Sequence, residues 1–196
     1  MMNTLQNILA FTNVLSEFRD VSRDIQLKSA GRLENDAEHS YQLAMVAWYI
    51  ISSEKLSLDV NKVIRYALVH DLIEVYAGDT PLYGANNDYT SSKNVREEEA
   101  IRLLRENFPE FSVMHRAIED YQKHENPEAL FVYCLDKLLP VMVIHLDGGY
   151  DWTSRGITLE SICLKVKHKA SKDQFISELC DSMIKCIEED GVISKY

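Results

Sequence analysis

The sequence contains few of the residues that interrupt helices, because its 196 positions include only 7 glycines and 4 prolines. It also lacks any convincing stretch of alternating apolar and polar residues, the pattern expected of a half-buried strand. Hydrophobic residues still make up 46% of the chain, which is enough for a sizeable core. These features disfavour a β-sandwich or a disordered chain, and they predict an all-α protein.

Positive charge is in deficit along the whole chain. Lysine and arginine total 21 against 31 aspartates and glutamates, which gives a formal net charge of −10 and a pI near 5.1. This balance disfavours nonspecific binding to a nucleic acid polymer or to an anionic membrane surface. A local basic pocket remains compatible with it.

Paired cysteines of the C-x-x-C type are absent, as are signal and membrane-spanning patterns. The 4 cysteines lie within apolar helical patterns, so we expect buried thiols in a reducing compartment rather than a disulfide or zinc–thiolate framework. Neither a basic N-terminal region nor an uninterrupted apolar run long enough to span a bilayer is evident. We therefore expect a cytoplasmic protein without a membrane anchor.

Apolar periodicity predicts a series of helices within a single domain over residues 1–196. The predicted helices cover residues 3–18, 41–51, 60–77, 93–108, 110–124, 127–146, 158–170 and 172–189. Residues 19–35 and 82–92 are polar and are expected to form loops, and residues 148–156 a turn. The first loop is expected to turn at Gly31.

Two helix starts and one helix end carry recognisable signals. Asn35 and Glu38 form the N-x-x-E pattern of a capping box before the second helix. Asp59 is expected to cap the central helix, and Gly78 is expected to end it.

The central stretch, residues 66–81, places ionisable side chains among apolar ones. Its sequence is YALVHDLIEVYAGDTP, in which His70 and Glu74 would share one helix face and Asp71 would lie about 100° around the axis. The apolar neighbours predict that this helix is largely buried. A buried, unpaired charge costs several kcal/mol, so a metal ion or a catalytic site would explain these side chains economically.

Four residues in apolar helical surroundings offer metal ligands: His39, His70, Asp71 and Asp136. Two imidazoles and two carboxylates suit a divalent transition metal such as Mn, Co, Fe, Ni or Zn, without selecting among them. Ordinary structural roles stay open, since Asp136 and Lys137 would also suit a helical ion pair and His39 a helix start.

Four short motifs resemble those of the HD-domain metal-dependent phosphohydrolases. They are E-H-S (38–40), V-H-D-L-I-E (69–74), G-D-T-P (78–81) and L-D-K-L (135–138). The order H…HD…D, with the E-x-x-x-x-G-D extension, is most similar to the subgroup of bacterial 5′-deoxynucleotidases and their HD-domain relatives. The resemblance covers roughly residues 1–145 and implies an HD-domain helical bundle with a motif core over about 30–145.

The resemblance also implies roles for the residues that match these motifs. His39, His70, Asp71 and Asp136 would ligate one divalent metal ion, with Mg added to the candidates. Glu74 and Asp79 match the acidic pair that this subgroup places beside the attacking water and the leaving group. As alternatives, Glu74 would support a ligating histidine and Asp79 would be a turn residue.

Substrate contacts are expected from basic residues near these motifs. Arg23 is the nearest match to an arginine that holds the nucleotide in the family, although Ile25 stands where the family often has tryptophan. Lys137 would touch phosphate or pair with a site carboxylate. Arg32 is a second candidate, and a surface position is open for both arginines.

The implied function is hydrolysis of a small phosphate ester. We expect a metal-dependent enzyme acting on nucleoside or deoxynucleoside 5′-monophosphates, and the family implies a homodimer. Two alternatives are an HD hydrolase of a nucleotide polyphosphate or phosphorylated metabolite, and a catalytically silent nucleotide-binding regulator.

Overall fold

The computed structural model describes residues 2–79 and 91–194, and most of this part is helical. The all-α prediction is therefore confirmed. The helices are α1 (Met2–Asp20), α2 (Asp36–Glu54), α3 (Val60–Val69), α4 (Glu74–Ala77), α5 (Lys93–Asn107), α6 (Ser112–Lys123), α7 (Pro127–Leu146), α8 (Tyr150–Arg155), α9 (Leu159–Ala170) and α10 (Gln174–Asp190). Most predicted helices match these bounds within a few residues. The loop predicted over residues 82–92 lies mainly outside the described residues.

A small hairpin replaces the loop predicted over residues 19–35. Strands β1 (Ser22–Leu27) and β2 (Arg32–Asn35) pair antiparallel, and Gly31 makes the turn with a φ of 65°. That turn position was predicted, but the two strands were not, and the expectation of a chain without strands was wrong here. The strands are mostly polar, and Ile25 and Leu27 of β1 pack against the main core, so the hairpin depends on contacts with distant parts of the chain.

The hairpin is held by two carboxylates that follow the long helix α7. Asp147 accepts hydrogen bonds from the backbone N–H groups of Lys28 (2.6 Å) and Ser29 (3.1 Å). Asp151 is buried and accepts from the N–H of Gln26 at 2.9 Å. Asp151 lies in α8, a short helix within the segment predicted as a turn only.

The strand pairing is irregular where β1 passes Arg23. Ser22 pairs with Asn35, whereas Gln26 pairs with Leu33, so the register shifts between these two points. Such a shift bends a strand and redirects its side chains, and it is common beside functional sites. Arg23 lies within this shifted segment.

The predicted central helix is interrupted at its two metal-ligand candidates, so their placement in mid-helix was wrong. Helix α3 ends at Val69, and α4 begins only at Glu74. Between them the chain makes tighter bonds, with the N–H of Leu72 donating to the Val69 carbonyl and that of Glu74 to the Asp71 carbonyl. His70 and Asp71 therefore lie in a turn between two helices.

The predicted helix ends are confirmed. The Asn35 side chain accepts from the N–H of Glu38, and the Glu38 side chain accepts from the N–H of Asn35, which completes the capping box of α2. Asp59 caps α3 through the N–H groups of residues 61 and 62. Gly78, at a φ of 73°, ends α4.

Helix α7 is the centre of the core. It contacts α2, α3, α9 and α10 through fully buried side chains such as Phe131, Leu135 and Leu138. By length and composition its 20 residues could cross a membrane, contrary to the sequence expectation. However, 56% of its most apolar 18-residue stretch is buried inside the fold. A second apolar cluster joins α1, the α3–α4 turn, α5 and α6.

The cysteines are only partly as predicted. Cys134 and Cys180 are buried, Cys163 is half-buried and Cys186 is exposed. All four are free thiols, which agrees with the prediction that they form no disulfide framework.

Replacing Asp151 by alanine tests whether this carboxylate anchors the hairpin. The change leaves the N–H of Gln26 and the guanidinium of Arg155, whose Nε lies 3.2 Å from Asp151, without their shared acceptor. We expect the free energy of unfolding to fall by about 1–3 kcal/mol, measured by urea denaturation. Glu160→Ala, the same charge change at an exposed position in α9, should alter it by less than about 0.5 kcal/mol. Equal effects would mean that Asp151 is not an anchor.

Candidate metal centre and its cavity

The four candidate metal ligands come from three elements and meet inside the fold. His39 lies in the first turn of α2, His70 and Asp71 in the α3–α4 turn, and Asp136 in the middle of α7. Each offers one ligand atom, and these four atoms all lie within 4.8 Å of one another. His39 Nε2 lies 2.9 Å from Asp136 Oδ1, and His70 Nε2 lies 2.9 Å from Asp71 Oδ2.

Local structure directs each ligand toward this point. The capping box sets the start of α2, which carries His39 into the core one turn later. The tight turn after α3 projects His70 and Asp71 together. Asp136 is surrounded by the apolar residues of α7, so its carboxylate has few other places to find partners.

The histidines are oriented as metal ligands require. His70 Nδ1 lies 2.8 Å from the Ala67 carbonyl oxygen, so Nδ1 must carry the proton and donate it. Nε2 faces the cluster, 2.9 Å from Asp71 Oδ2, and its lone pair is available to an ion when the imidazole is neutral. His39 likewise turns Nε2 inward, while the Glu34 carboxylate lies 3.8 Å from its Nδ1. These features and the N/O donor set fit a divalent ion.

Arg23 reaches the site from the irregular part of β1 and joins three carboxylates. Its Nη1 lies 2.6 Å from Asp71 Oδ2 and 3.1 Å from Asp36 Oδ1, and its Nε lies 3.2 Å from Glu34 Oε2. Its side chain is 13% exposed, so these are buried ion pairs. The predicted substrate arginine is therefore brought to the site.

Glu74 and Asp79 lie on the same side of the cluster. Glu74 is buried at the start of α4, with a carboxylate oxygen within 4.8 Å of those of Asp36 and Asp71. Asp79 follows Gly78 and lines the same cavity. Lys137 places Nζ 2.6 Å from Asp136 Oδ2, on the side away from the imidazoles.

The two imidazoles hold protons differently in the absence of an ion. Burial lowers the pKa of His39 to about 4, despite its contact with Asp136. Burial also opposes a charged His70, but attraction to Asp71 and Asp136 raises the pKa of His70 to about 10. An imidazole must be neutral to bind a metal ion, so His70 would release a proton when a cation binds.

The pKa values of the buried carboxyl groups are shifted in two directions. Burial opposes ionisation of Asp71 and Asp136, but attraction to neighbouring cations, led by His70 and Lys137 respectively, holds the pKa of each well below its usual range. Burial raises the pKa of both Glu34 and Asp36 to about 7. Burial and repulsion from Asp71, Asp36 and Asp79 raise the pKa of Glu74 to about 11. These acids outnumber the nearby cations Arg23, His70 and Lys137, so a divalent cation would find an acidic site.

A cavity of about 350 Å³ opens beside the cluster. This volume is at the small end of the range for sites that bind small molecules. Its polar wall includes Asp71, Glu74, Asp79 and Arg23, and its apolar wall includes Ile25, Val141, Trp152 and Val166. A phosphate ester could therefore approach the metal ligands from this side.

The structure separates the two candidate arginines and adds acids that the sequence analysis missed. Arg32 is exposed and paired with Glu38 at 2.6 and 2.7 Å, and it does not line the cavity. Glu34 and Asp36 are buried beside Arg23, although they were not predicted as site residues. In the sequence these two acids stand on either side of Asn35, where they resemble ordinary residues of a helix start.

The chain matches a known protein family over most of its length. A family model described as the HD domain matches residues 15–178. The chain belongs to this family. The histidines and aspartates gathered by the fold are the same four residues on which the resemblance in sequence depended.

Curated HD-domain relatives include the human 5′-deoxynucleotidase HDDC2. It is 30% identical over 135 residues, which cover 67% of this chain and 64% of the human protein. The matched part of this HD-domain chain thus spans just under two thirds of that relative's length. A 5′-deoxynucleotidase of Pectobacterium atrosepticum is 26% identical over 192 residues, covering 89% of this chain and 92% of the relative.

Solved structures of similar fold come from a bacterium and an archaeon. A predicted metal-dependent phosphohydrolase of Magnetospirillum magnetotacticum superposes with a TM-score of 0.80 at 23% identity, covering 97% of this HD-domain chain and 95% of the other. A conserved hypothetical protein of Pyrococcus furiosus gives a TM-score of 0.62 at 22% identity, with 94% and 99% covered. At these identities the likeness shows the fold alone.

Replacing Asp71 tests whether the cluster holds a divalent ion. At about 100 times its Kd, Mn²⁺ should stabilise the native protein by about 2.7 kcal/mol and raise the Tm by about 5–10 °C. We expect Asp71→Ala to remove this shift and the ion retained after dialysis, because one of four ligands is lost. Asp20→Ala, an exposed aspartate at the end of α1, should keep both. An unchanged shift in Asp71→Ala would exclude Asp71 as a ligand.

Proposed function

We propose that the protein is a metal-dependent phosphohydrolase that converts nucleoside or deoxynucleoside 5′-monophosphates to nucleoside and phosphate. The observation that carries this proposal is the buried cluster of two histidines and two aspartates that adjoins a cavity with Arg23 and Lys137. The two 5′-deoxynucleotidase relatives support the choice of substrate. A cytoplasmic location and a homodimer are proposed with it.

His39, His70, Asp71 and Asp136 would hold one divalent ion, with Mn, Co, Fe, Ni, Zn and Mg as candidates. Such an ion would draw charge from a phosphoryl oxygen and lower the pKa of a water molecule, which makes hydroxide available near neutral pH. The chain's own part is to fix these four ligand atoms within 4.8 Å of one another.

Glu74 is proposed to orient the attacking water and accept its proton, because an ion bound in the cluster would lower the raised pKa of this carboxyl. Its carboxylate adjoins Asp71 and lines the cavity, so it can reach a water between the cluster and the substrate. Asp79, on the same wall, is proposed to pass a proton to the leaving oxygen of the sugar. Two acids are useful here because one removes a proton and the other supplies one.

Arg23 and Lys137 are proposed to bind the phosphoryl oxygens. Both are held by ligand carboxylates, Arg23 by Asp71 and Lys137 by Asp136, at 2.6 Å in each case. Their charges therefore lie beside the metal ligands before substrate enters. Fixed positive charge of this kind stabilises the charge that develops on a transferring phosphoryl group.

Phosphate release from a panel of esters tests this function. The panel contains ribo- and deoxyribonucleoside 5′-monophosphates, a nucleoside triphosphate and a sugar phosphate, each with protein stripped of metal and reloaded with Mn²⁺, Co²⁺ or Mg²⁺. We expect metal-dependent release of free phosphate from the monophosphates. Release of pyrophosphate from the triphosphate alone would favour the polyphosphate alternative. Tight nucleotide binding with no turnover of any ester would favour a silent regulator.

The role of Glu74 is tested on the same panel. Glu74→Gln should keep the ion but lower kcat by about a hundredfold or more, because the side chain no longer accepts a proton. Glu98→Gln, an exposed change on α5, serves as the control and should leave kcat unchanged. If Glu74→Gln instead lost the ion, Glu74 would be a supporting residue of the metal cluster.

A further inference from the structure

Two lysines on one face of α9 line the cavity described above. Lys165 and Lys169 are four positions apart, so their side chains are neighbours on the helix surface. Both side chains are half-buried, in a protein that has ten more acidic than basic residues. We call this pair the basic wall.

The basic wall does not stabilise the helix that carries it. Like charges four positions apart on a helix repel each other and destabilise it. Burial lowers the pKa of both lysines, and the nearby charges of Lys137 and Lys93 lower that of Lys169 further. Within residues 2–79 and 91–194, the Lys169 ammonium has no hydrogen bond or ion pair. Two cations in such a position suit an anion that arrives from outside.

The basic wall is continuous with the metal centre through α7. Lys137 adds a third lysine between the basic wall and the metal centre, because its Nζ lies 2.6 Å from the Asp136 carboxylate. The thiol of Cys134, one turn earlier in α7, donates to the Lys169 carbonyl oxygen at 3.3 Å, so this end of α9 packs against the same part of α7. The cavity therefore has acids and metal ligands at one wall and lysines at another.

We propose that Lys165 and Lys169 bind a second phosphoryl group of the substrate, remote from the one that is hydrolysed. The preferred substrate would then be a bisphosphorylated ester, such as a nucleoside phosphorylated on both its 5′ and 3′ oxygens. Two ammonium groups match the charge of a phosphate dianion, for which lysine serves as a point charge. This proposal rests on the proposed function for the scissile phosphate, and it narrows the substrate class.

Steady-state kinetics on a matched pair of substrates tests the proposal. Native enzyme, metal-loaded, is compared with the double variant Lys165→Ala/Lys169→Ala on a nucleoside 5′-monophosphate and on the corresponding 3′,5′-bisphosphate. We expect the native enzyme to have the lower KM for the bisphosphate. The double variant should raise that KM by about tenfold or more, while kcat on both substrates and KM for the monophosphate change less than about twofold.

The control variant removes the same charge elsewhere. Lys167→Ala/Lys185→Ala affects exposed lysines that pair with Asp181 and Glu189, and it should leave both KM values unchanged. An equal rise of KM in the control would mean that overall charge, rather than the basic wall, is responsible. Equal KM values for the two substrates in the native enzyme would also overturn the proposal.

Calorimetric binding separates this proposal from the function on which it rests. If neither nucleotide is hydrolysed, the proposed function fails, but tighter binding of the bisphosphate that disappears in the double variant would still support the basic wall. Equal affinity of the native protein for the two nucleotides would overturn it, whether or not either nucleotide is hydrolysed.

Discussion

The arrangement of the site depends on how its buried negative charge is balanced. Arg23 is the cation that faces Glu34, Asp36 and Asp71 together, and the side chains of Glu34 and Asp36 are almost completely buried. A buried carboxylate without a partner costs several kcal/mol, so the hairpin that carries this arginine is as necessary to the site as the helices. Arg23 lies at the register shift in β1, and such irregularities redirect side chains in a strand.

Much of the site was accessible from the sequence because its residues carry short-range signals. The capping box at Asn35 placed the start of α2 correctly, and with it the inward position of His39 one turn later. The H…HD…D order identified the four residues that the fold gathers, although their separations in sequence carry no information on distance. Roles for these residues as ligands stay predictions.

The parts that were not predicted depend on contacts between distant segments. The hairpin strands are short and mostly polar, and their placement depends on core packing of Ile25 and on hydrogen bonds to Asp147 and Asp151, far along the chain. The break between α3 and α4 contains neither glycine nor proline, so helical periodicity continued through His70 without a warning. Burial of Asp36 could not be inferred because an acid at a helix start is usually solvated.

The anchoring of the hairpin has a consequence for the order in which the site assembles. Its hydrogen bonds to α8 and to the end of α7 join residues 118–125 positions apart, so they close some of the longest loops in the fold. Contacts of such separation form slowly compared with packing between neighbouring helices. Before the hairpin docks, the carboxylates on α2 and the α3–α4 turn lack their guanidinium. The charge balance of the site is therefore completed by contacts between segments far apart in sequence.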